Sequence, residues 1–249
     1  MKINIVIPAR NELKNLKIIV PRLKKKYNYP IIVIDKSNDG TEIELKKLCI
    51  KWKIKLYFQK SKGKGNALRE AVEFCTGDII VFFDADCSHD PDDIEKLVNP
   101  FKLNKSVHHV GGSRMRGGSD ELYSDVQHLI RLFGSLIINI TINLKFGVHL
   151  TDSINGLRAI KKNIFKKLNV TSDDFAIELE LVSKTLSAGL NYVEIPTHEW
   201  KRKFGVSKIG LTTHSWQFIF KLISILFLPK SKKDINKINS EINKKWYEK

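Results

Sequence analysis

The run Ile79-Ile80-Val81-Phe82-Phe83-Asp84-Ala85-Asp86 joins strand-forming apolar residues to two carboxylates one small residue apart. A continuous apolar run is the pattern of a parallel strand buried on both faces. Acids at the carboxyl end of such a strand stand where open α/β sheets hold their ligands. Two carboxylates there suit a hard divalent cation, Mg²⁺ or Mn²⁺, which takes oxygen ligands and is often shared with substrate phosphates. The chemistry would be neutralisation of the charge that grows on a departing diphosphate. Two more acids follow apolar runs in the same way: Glu12, in Pro8-Ala9-Arg10-Asn11-Glu12, and Asp35, which ends residues 31–34.

Strands and helices must alternate if these acids are to meet. Residues 3–7, 31–34, 54–58 and 79–83 read as strands, and 12–26, 41–52 and 66–76 as helices, with Leu13, Leu16, Ile19, Val20 and Leu23 at helical spacing in the first. The turn Ser37-Asn38-Asp39-Gly40-Thr41 and the glycine-rich Lys62-Gly63-Lys64-Gly65 separate them. This βαβαβαβ order predicts a doubly wound, mostly parallel sheet. Further on, 110–113 and 192–196 read as strands and 178–188 as a helix, while 129–150 and 216–229 are apolar stretches interrupted by polar residues. The 249 residues suit a single domain over 1–228. Residues 229–249 read as a polar, loosely held tail.

Composition narrows the classes of function. A formal net charge of +16 draws the chain to polyanions such as nucleic acid, anionic lipid or phosphorylated substrates. No nucleic-acid-binding motif is present, and the Asp84/Asp86 carboxylates would repel a phosphate backbone, so nucleic acid is not the expected partner. Cys49, Cys75 and Cys87 form neither a CxxC pair nor an even framework, as expected of a reducing compartment. No signal peptide is expected, and no segment reads as the ~20 apolar residues of a membrane span.

The ordered set PARNE (8–12), D-x-S-x-DGT (35–41), KGKGNA (62–67), DADCSHDP (84–91), Gly112-Ser113-Arg114, DSINGLRA (152–159) and RKFGVSK (202–208) resembles the family 2 glycosyltransferases of the GT-A fold. Within that family it is similar to the dolichyl- and polyprenyl-phosphate sugar synthases. The resemblance implies a Rossmann-like sheet with an acceptor-side α+β extension, the nucleotide-sugar half at about 1–115 and the acceptor half at about 116–228. It implies that Pro8, Ala9, Arg10, Glu12, Val33, Asp35, Gly63, Asp84, Ala85, Asp86 and Arg114 bind the nucleotide-sugar, and that Asp84, Asp86 and Ser88 address the metal. Asp86, Arg114, Arg202 and Lys208 would carry catalysis. His128 or Arg131, with Arg202 and Lys208, would hold the acceptor phosphate. Asp152 and Arg158 would order the acceptor loop or pair with each other. Glu178 and Glu180 cannot share one helical face. Glu180 matches the family acid better and reads as orienting, because an ionised phosphate acceptor needs no base. The implied reaction is inverting transfer of a hexose, mannose from GDP-mannose first, to a polyprenyl or dolichyl phosphate at the cytoplasmic face of a membrane. Attachment would be peripheral or through a membrane subunit. The alternative is a UDP-sugar donor, with a lipid phosphate or a glycan hydroxyl as acceptor.

Overall fold

The computed structural model describes residues 1–121, 126–205, 211–231 and 233–247. The chain begins β1 (Ile3–Ala9), α1 (Leu13–Lys26), β2 (Ile31–Asp35), α2 (Glu42–Trp52), β3 (Lys55–Phe58), α3 (Lys64–Phe74), β4 (Ile79–Phe82). It continues α4 (Asp93–Leu103), β5 (Val107–Ser113), α5 (Arg114–Gly117), α6 (Val126–Phe146), β6 (Arg158–Lys161) and α7 (Lys162–Leu168). Last come α8 (Ile177–Ser187), β7 (Asn191–Pro196), α9 (Leu211–Leu226) and α10 (Asn236–Tyr247). The described strands form one seven-stranded sheet in the order β3-β2-β1-β4-β6-β5-β7. β1 lies parallel between β2 and β4, with Ile7 beside Val33 and Ile5 beside Val81.

The apolar runs of β1, β2 and β4 are buried because helices cover both faces of the sheet. On one face Leu16, Ile19, Leu23, Ile94 and Leu97 of α1 and α4 pack against the strands. On the other face Leu68, Val72, Phe165 and Leu181 of α3, α7 and α8 do so. A third cluster, including Ile138, Ile142, Phe146, Leu179, Val182 and Ile225, joins α6, α8 and α9. Burying each such side chain contributes about 1.5–3 kcal/mol. The carboxyl ends of β1, β2 and β4 therefore share one rim of the sheet.

Three features differ from the sequence expectation. β6 was not foreseen: it is antiparallel to β4, with Phe82 opposite Arg158. That register brings the loop just before Arg158 beside the residues just after Phe82. Second, the interrupted apolar stretch 129–150 is mostly one helix, α6, whose 19 residues His128–Phe146 are long and apolar enough to cross a membrane by length and composition. The expectation of no such segment is corrected to that extent. In the folded domain Ile138, Ile142 and Phe146 of α6 are buried in the third cluster. Third, the expected loose tail forms α10. Ile242 enters the first core cluster, Asn239 Oδ1 accepts from the Glu194 N–H at 3.0 Å, and Asn243 Oδ1 accepts from Arg116 at 3.1 Å.

Candidate active site

The rim formed by β1, β2 and β4 is the floor of a cleft of about 1160 Å³. Asp84 and Asp86 follow β4 directly and both line it. Asp84 Oδ1 lies 2.7 Å from Lys64 Nζ, and Oδ2 lies 3.5 Å from His89 Nε2. Lys64 Nζ also lies 2.5 Å from Glu178 Oε1. Burial works against the Asp84 charge, but Lys64 and His89 outweigh it and hold the carboxyl well below the usual range. His89 shifts the other way: burial disfavours its cation, and Asp84 more than compensates, so its pKa is raised. Gly156, in the loop preceding β6, completes the cluster. A Cβ there would crowd Lys64 Nζ and Glu178 Oε1 at 2.8 and 2.9 Å and would collide with Asp84 Oδ2.

Asp86 faces a second cation. Its Oδ2 lies 2.7 Å from an Arg202 nitrogen, while its Oδ1 accepts from the Ser88 N–H at 3.0 Å and the Ser88 hydroxyl at 2.6 Å. Arg202 also lies 3.8 Å from Glu12, and its N–H donates to Glu121 at 2.9 Å. Glu12 is fixed by Asn15, which donates to it at 2.5 Å. Arg114 opens α5 and is gripped by Asp152, with Nε–Oδ2 at 2.7 Å and Nη2–Oδ1 at 2.9 Å; Glu199 lies 3.3 Å away. Asp152 is positioned in turn by buried Glu194, which accepts from the Thr151 and Asp152 N–H groups.

Of the residues expected from sequence, the cleft gathers Pro8, Ala9, Arg10, Glu12, Gly63, Asp84, Ala85, Asp86, Ser88, Arg114, His128, Arg131 and Arg202. Val33 is not among them: it is wholly buried in the core, because the strand residue beside Ile7 points into the sheet's covered face. Asp35 is not among the cleft-lining residues either, although Lys36 and Ser37 beside it are. It is buried at the end of β2, where its oxygens accept from the Ser37 N–H and hydroxyl. Lys208 lies outside the described residues. Asp152 and Arg158 do not pair: Asp152 binds Arg114, and buried Arg158 donates to the carbonyls of Asn155 and Glu178. Gly63 lines the cleft, but its need for glycine comes from elsewhere. It adopts φ +94°, and a Cβ would collide with the Asp173 carbonyl.

Sequence reasoning missed Lys64, Glu178 and Gly156 as cleft residues. Lys64 stood inside a quoted motif, and only the carboxylate 114 positions away reveals its place. Of the two α8 acids it is Glu178 that faces the cleft. Glu180 is occupied by the Thr171 and Ser172 N–H groups and by Lys184 and Lys221.

The donor set fits a hard divalent cation. Asp84 and Asp86 each present an oxygen to a basic side chain across the cleft floor, so both carboxylates already meet positive charge there. Among the described residues no group of three or more His, Cys, Asp and Glu side chains is arranged to hold a metal. An ion at the two aspartates would therefore complete its shell with substrate oxygens or water, as Mg²⁺ commonly does.

A family model described as "Glycosyl transferase family 2" matches residues 4–169. This chain belongs to glycosyl transferase family 2. An uncharacterised protein of Methanocaldococcus jannaschii is 31% identical over 228 residues, 89% of this chain and 91% of that protein. The dolichol-phosphate mannosyltransferase of Pyrococcus furiosus is 28% identical over 84% of this chain, which spans 59% of that enzyme's length. The UDP-N-acetylglucosamine–dolichyl-phosphate N-acetylglucosaminyltransferase of Methanococcus voltae is 34% identical over 67% of this chain and 72% of its own. Among solved structures, the glucosyl-3-phosphoglycerate synthase of Mycobacterium tuberculosis, crystallised with Mn²⁺, UDP and glucosyl-3-phosphoglycerate, superposes with a TM-score of 0.72. It is 19% identical and covers 92% of this chain and 81% of its own, so the shared feature is the GT-A fold. The transferase thus has the GT-A sheet, with the acids Asp84 and Asp86 just after β4.

Proposed function

We propose that this transferase moves a hexose from a nucleotide-sugar onto the phosphate of a polyprenol or dolichol, inverting the anomeric centre. One observation carries the acceptor: the polar floor at Asp84 and Asp86 runs without a break into an apolar wall from α6 and α9. Ile130, Ile137, Ile138, Phe218, Ile219 and Leu222 line the same cavity as the aspartates. A polyprenyl chain would cover that wall, whereas a soluble sugar or peptide would leave it wet. GDP-mannose is the first donor to test. UDP-N-acetylglucosamine is the second, because the Methanococcus enzyme named for it is also similar to this chain, at 34% identity.

When bound, Mg²⁺ or Mn²⁺ at Asp84 and Asp86 would neutralise the diphosphate leaving group. The chain's own residues do the rest. Pro8, Ala9, Arg10 and Glu12 would flank the nucleotide, and Ser88 holds Asp86 in place. Arg114, fixed by Asp152, and Arg202 would offer guanidinium groups to phosphate oxygens, which they bind in a bidentate fork. His128 and Arg131 of α6 would draw the lipid phosphate to the end of the apolar wall. Catalysis then rests on alignment and leaving-group stabilisation, since a phosphate monoester is already ionised near pH 7. The hydroxyl-acceptor alternative needs a base. Glu180 is turned away from the cleft and Glu178 is held by Lys64, which favours the phosphate acceptor.

Peripheral membrane binding goes with this reading. Phe133 and Leu144 of α6 and Trp216 and Phe220 of α9 are exposed on the two packed helices, and Phe227 just beyond α9 is 84% exposed. The net charge of +16 would add attraction to anionic lipid. The test is a transfer assay with each labelled donor, Mn²⁺ or Mg²⁺, and a polyprenyl phosphate. Metal-dependent label in the organic phase is expected. Label that stays wholly aqueous, despite nucleotide binding, would overturn the lipid acceptor.

A further inference from the structure

Three of the four oxygens of the acid pair are engaged closely from within the protein, and the fourth, Asp84 Oδ2, has His89 at 3.5 Å. Asp84 meets Lys64 and His89; Asp86 meets Ser88 and Arg202. Lys64 is the most constrained of these partners. Its turn is pinned on both sides, because a Cβ on Gly63 or Gly65 would collide with the carbonyls of Asp173 and Ser172. Its ammonium lies between Asp84 and Glu178, 5.8 Å from the centre of the Phe175 ring, with its side chain 12% exposed. The space it occupies exists because residue 156 lacks a Cβ. A divalent ion at Asp84 Oδ1 would therefore compete with Lys64 for that oxygen, and hydrated Mg²⁺ gives up its water reluctantly. A diphosphate entering the cleft would change the balance, since its charge attracts both the ammonium and the ion.

We propose that Lys64 is an internal counter-ion that keeps the divalent-ion site closed until a nucleoside diphosphate arrives, then turns from Asp84 to the donor's phosphate while Glu178 retains it. The inference rests on the metal–diphosphate reading of the cleft and adds an order to it: ion and diphosphate enter together. Glu178 is the pivot, because it is the ammonium's second carboxylate partner, at 2.5 Å, and holds it at the cleft wall when the aspartate is released. Lys64 is a positioning residue for the ion and a direct partner of the donor phosphate.

The experiment measures Mn²⁺ binding to the purified full chain, with and without GDP or UDP, by titration of the free-Mn²⁺ paramagnetic signal. No sugar, acceptor or turnover is involved. Wild type should bind Mn²⁺ weakly alone and at least tenfold more tightly with the nucleotide. Lys64→Met should bind Mn²⁺ alone at least tenfold more tightly than wild type. Removing a unit charge about 4 Å from a divalent ion changes affinity by up to about a millionfold at an effective permittivity near 20, so tenfold is a low threshold. Lys64→Arg should restore the weak binding. Lys64→Gln is the second neutral variant should methionine fail to fold, and either decides. Unchanged Mn²⁺ affinity in the neutral variant, with nucleotide-dependent binding intact in wild type, overturns the role of Lys64 alone. Absence of Mn²⁺ binding in every form, even with nucleotide, overturns the metal reading and this inference with it.

Discussion

Asp152→Ala should lower stability by about 3 kcal/mol. Asp152 is fully buried and accepts three hydrogen bonds from Arg114: from the N–H at 3.0 Å, from Nε at 2.7 Å and from Nη2 at 2.9 Å. Burial works against the arginine's charge, and Asp152 and Glu199 more than compensate, so its pKa is raised. Removing one member of a buried ion pair costs about 3–5 kcal/mol, because the survivor is left buried and charged. Here Glu199 remains at 3.3 Å and the cleft admits water, which sets the cost at the lower end. For a chain of this size, about 1 kcal/mol corresponds to roughly 2–4 °C, so Tm should fall by roughly 6–12 °C. The double variant Arg114→Met/Asp152→Ala removes the stranded charge and should be more stable than Asp152→Ala alone. Urea unfolding followed by tryptophan fluorescence and circular dichroism measures both. A cost below about 1 kcal/mol for Asp152→Ala, or strict additivity in the double variant, would refute the reasoning.

Asp86→Ala should abolish transfer while leaving the urea midpoint within about 1 kcal/mol of wild type, because the residue lies on the cleft floor outside the core; retained turnover would sink the metal role. Glu180 is buried, which opposes its charge, but Lys184 and the Ser172 and Thr171 donors prevail and hold its pKa well below the usual carboxylate range. In that window the unfolded chain binds the extra proton, so the stabilisation is full above about pH 4.3 and is lost as pH falls through the folded pKa. Glu180→Gln should flatten this acid limb in urea midpoints taken from pH 6 to 2, and parallel curves for variant and wild type would contradict the assignment. Replacing Phe133 and Phe220 together with Ser should cut binding to anionic phosphatidylglycerol vesicles by at least tenfold in flotation while far-ultraviolet dichroism is unchanged; undiminished flotation would remove these helices as the docking face.

The floor of the cleft was legible because its signals are local. An apolar run that ends in, or shortly before, an acid specifies both a buried parallel strand and the end at which its acid emerges, so Glu12, Asp84 and Asp86 group from sequence alone. What was not legible depends on distance or helical phase. Lys64 and Glu178 meet across 114 residues, and nothing in either neighbourhood announces the other. Glu178 and Glu180 differ only in which way α8 is turned, and packing of Leu179 and Leu181 in different clusters sets that turn. β6 is four residues with a basic residue at each end, too short to show a period. α10 reads as a polar tail because the side chains anchoring it are few, Ile235 and Ile242 with Asn239 and Asn243. Asp35 shows what a motif leaves unsaid: its residue type does not reveal that Ser37 two positions on donates to the carboxylate inside its own loop.

The most direct test of the central claim compares two acceptors that differ only in the phosphate. Purified protein, Mn²⁺ and the labelled donor it binds are given either polyprenyl phosphate or the free polyprenol, and organic-phase label is counted. Label on the phosphate alone, lost on chelation, is the result predicted for a cleft that aligns an ionised nucleophile without a base. Transfer to the free alcohol at a comparable rate, or to neither lipid while a soluble hydroxyl is labelled, would contradict it and return a carboxylate of α8 to the role of base.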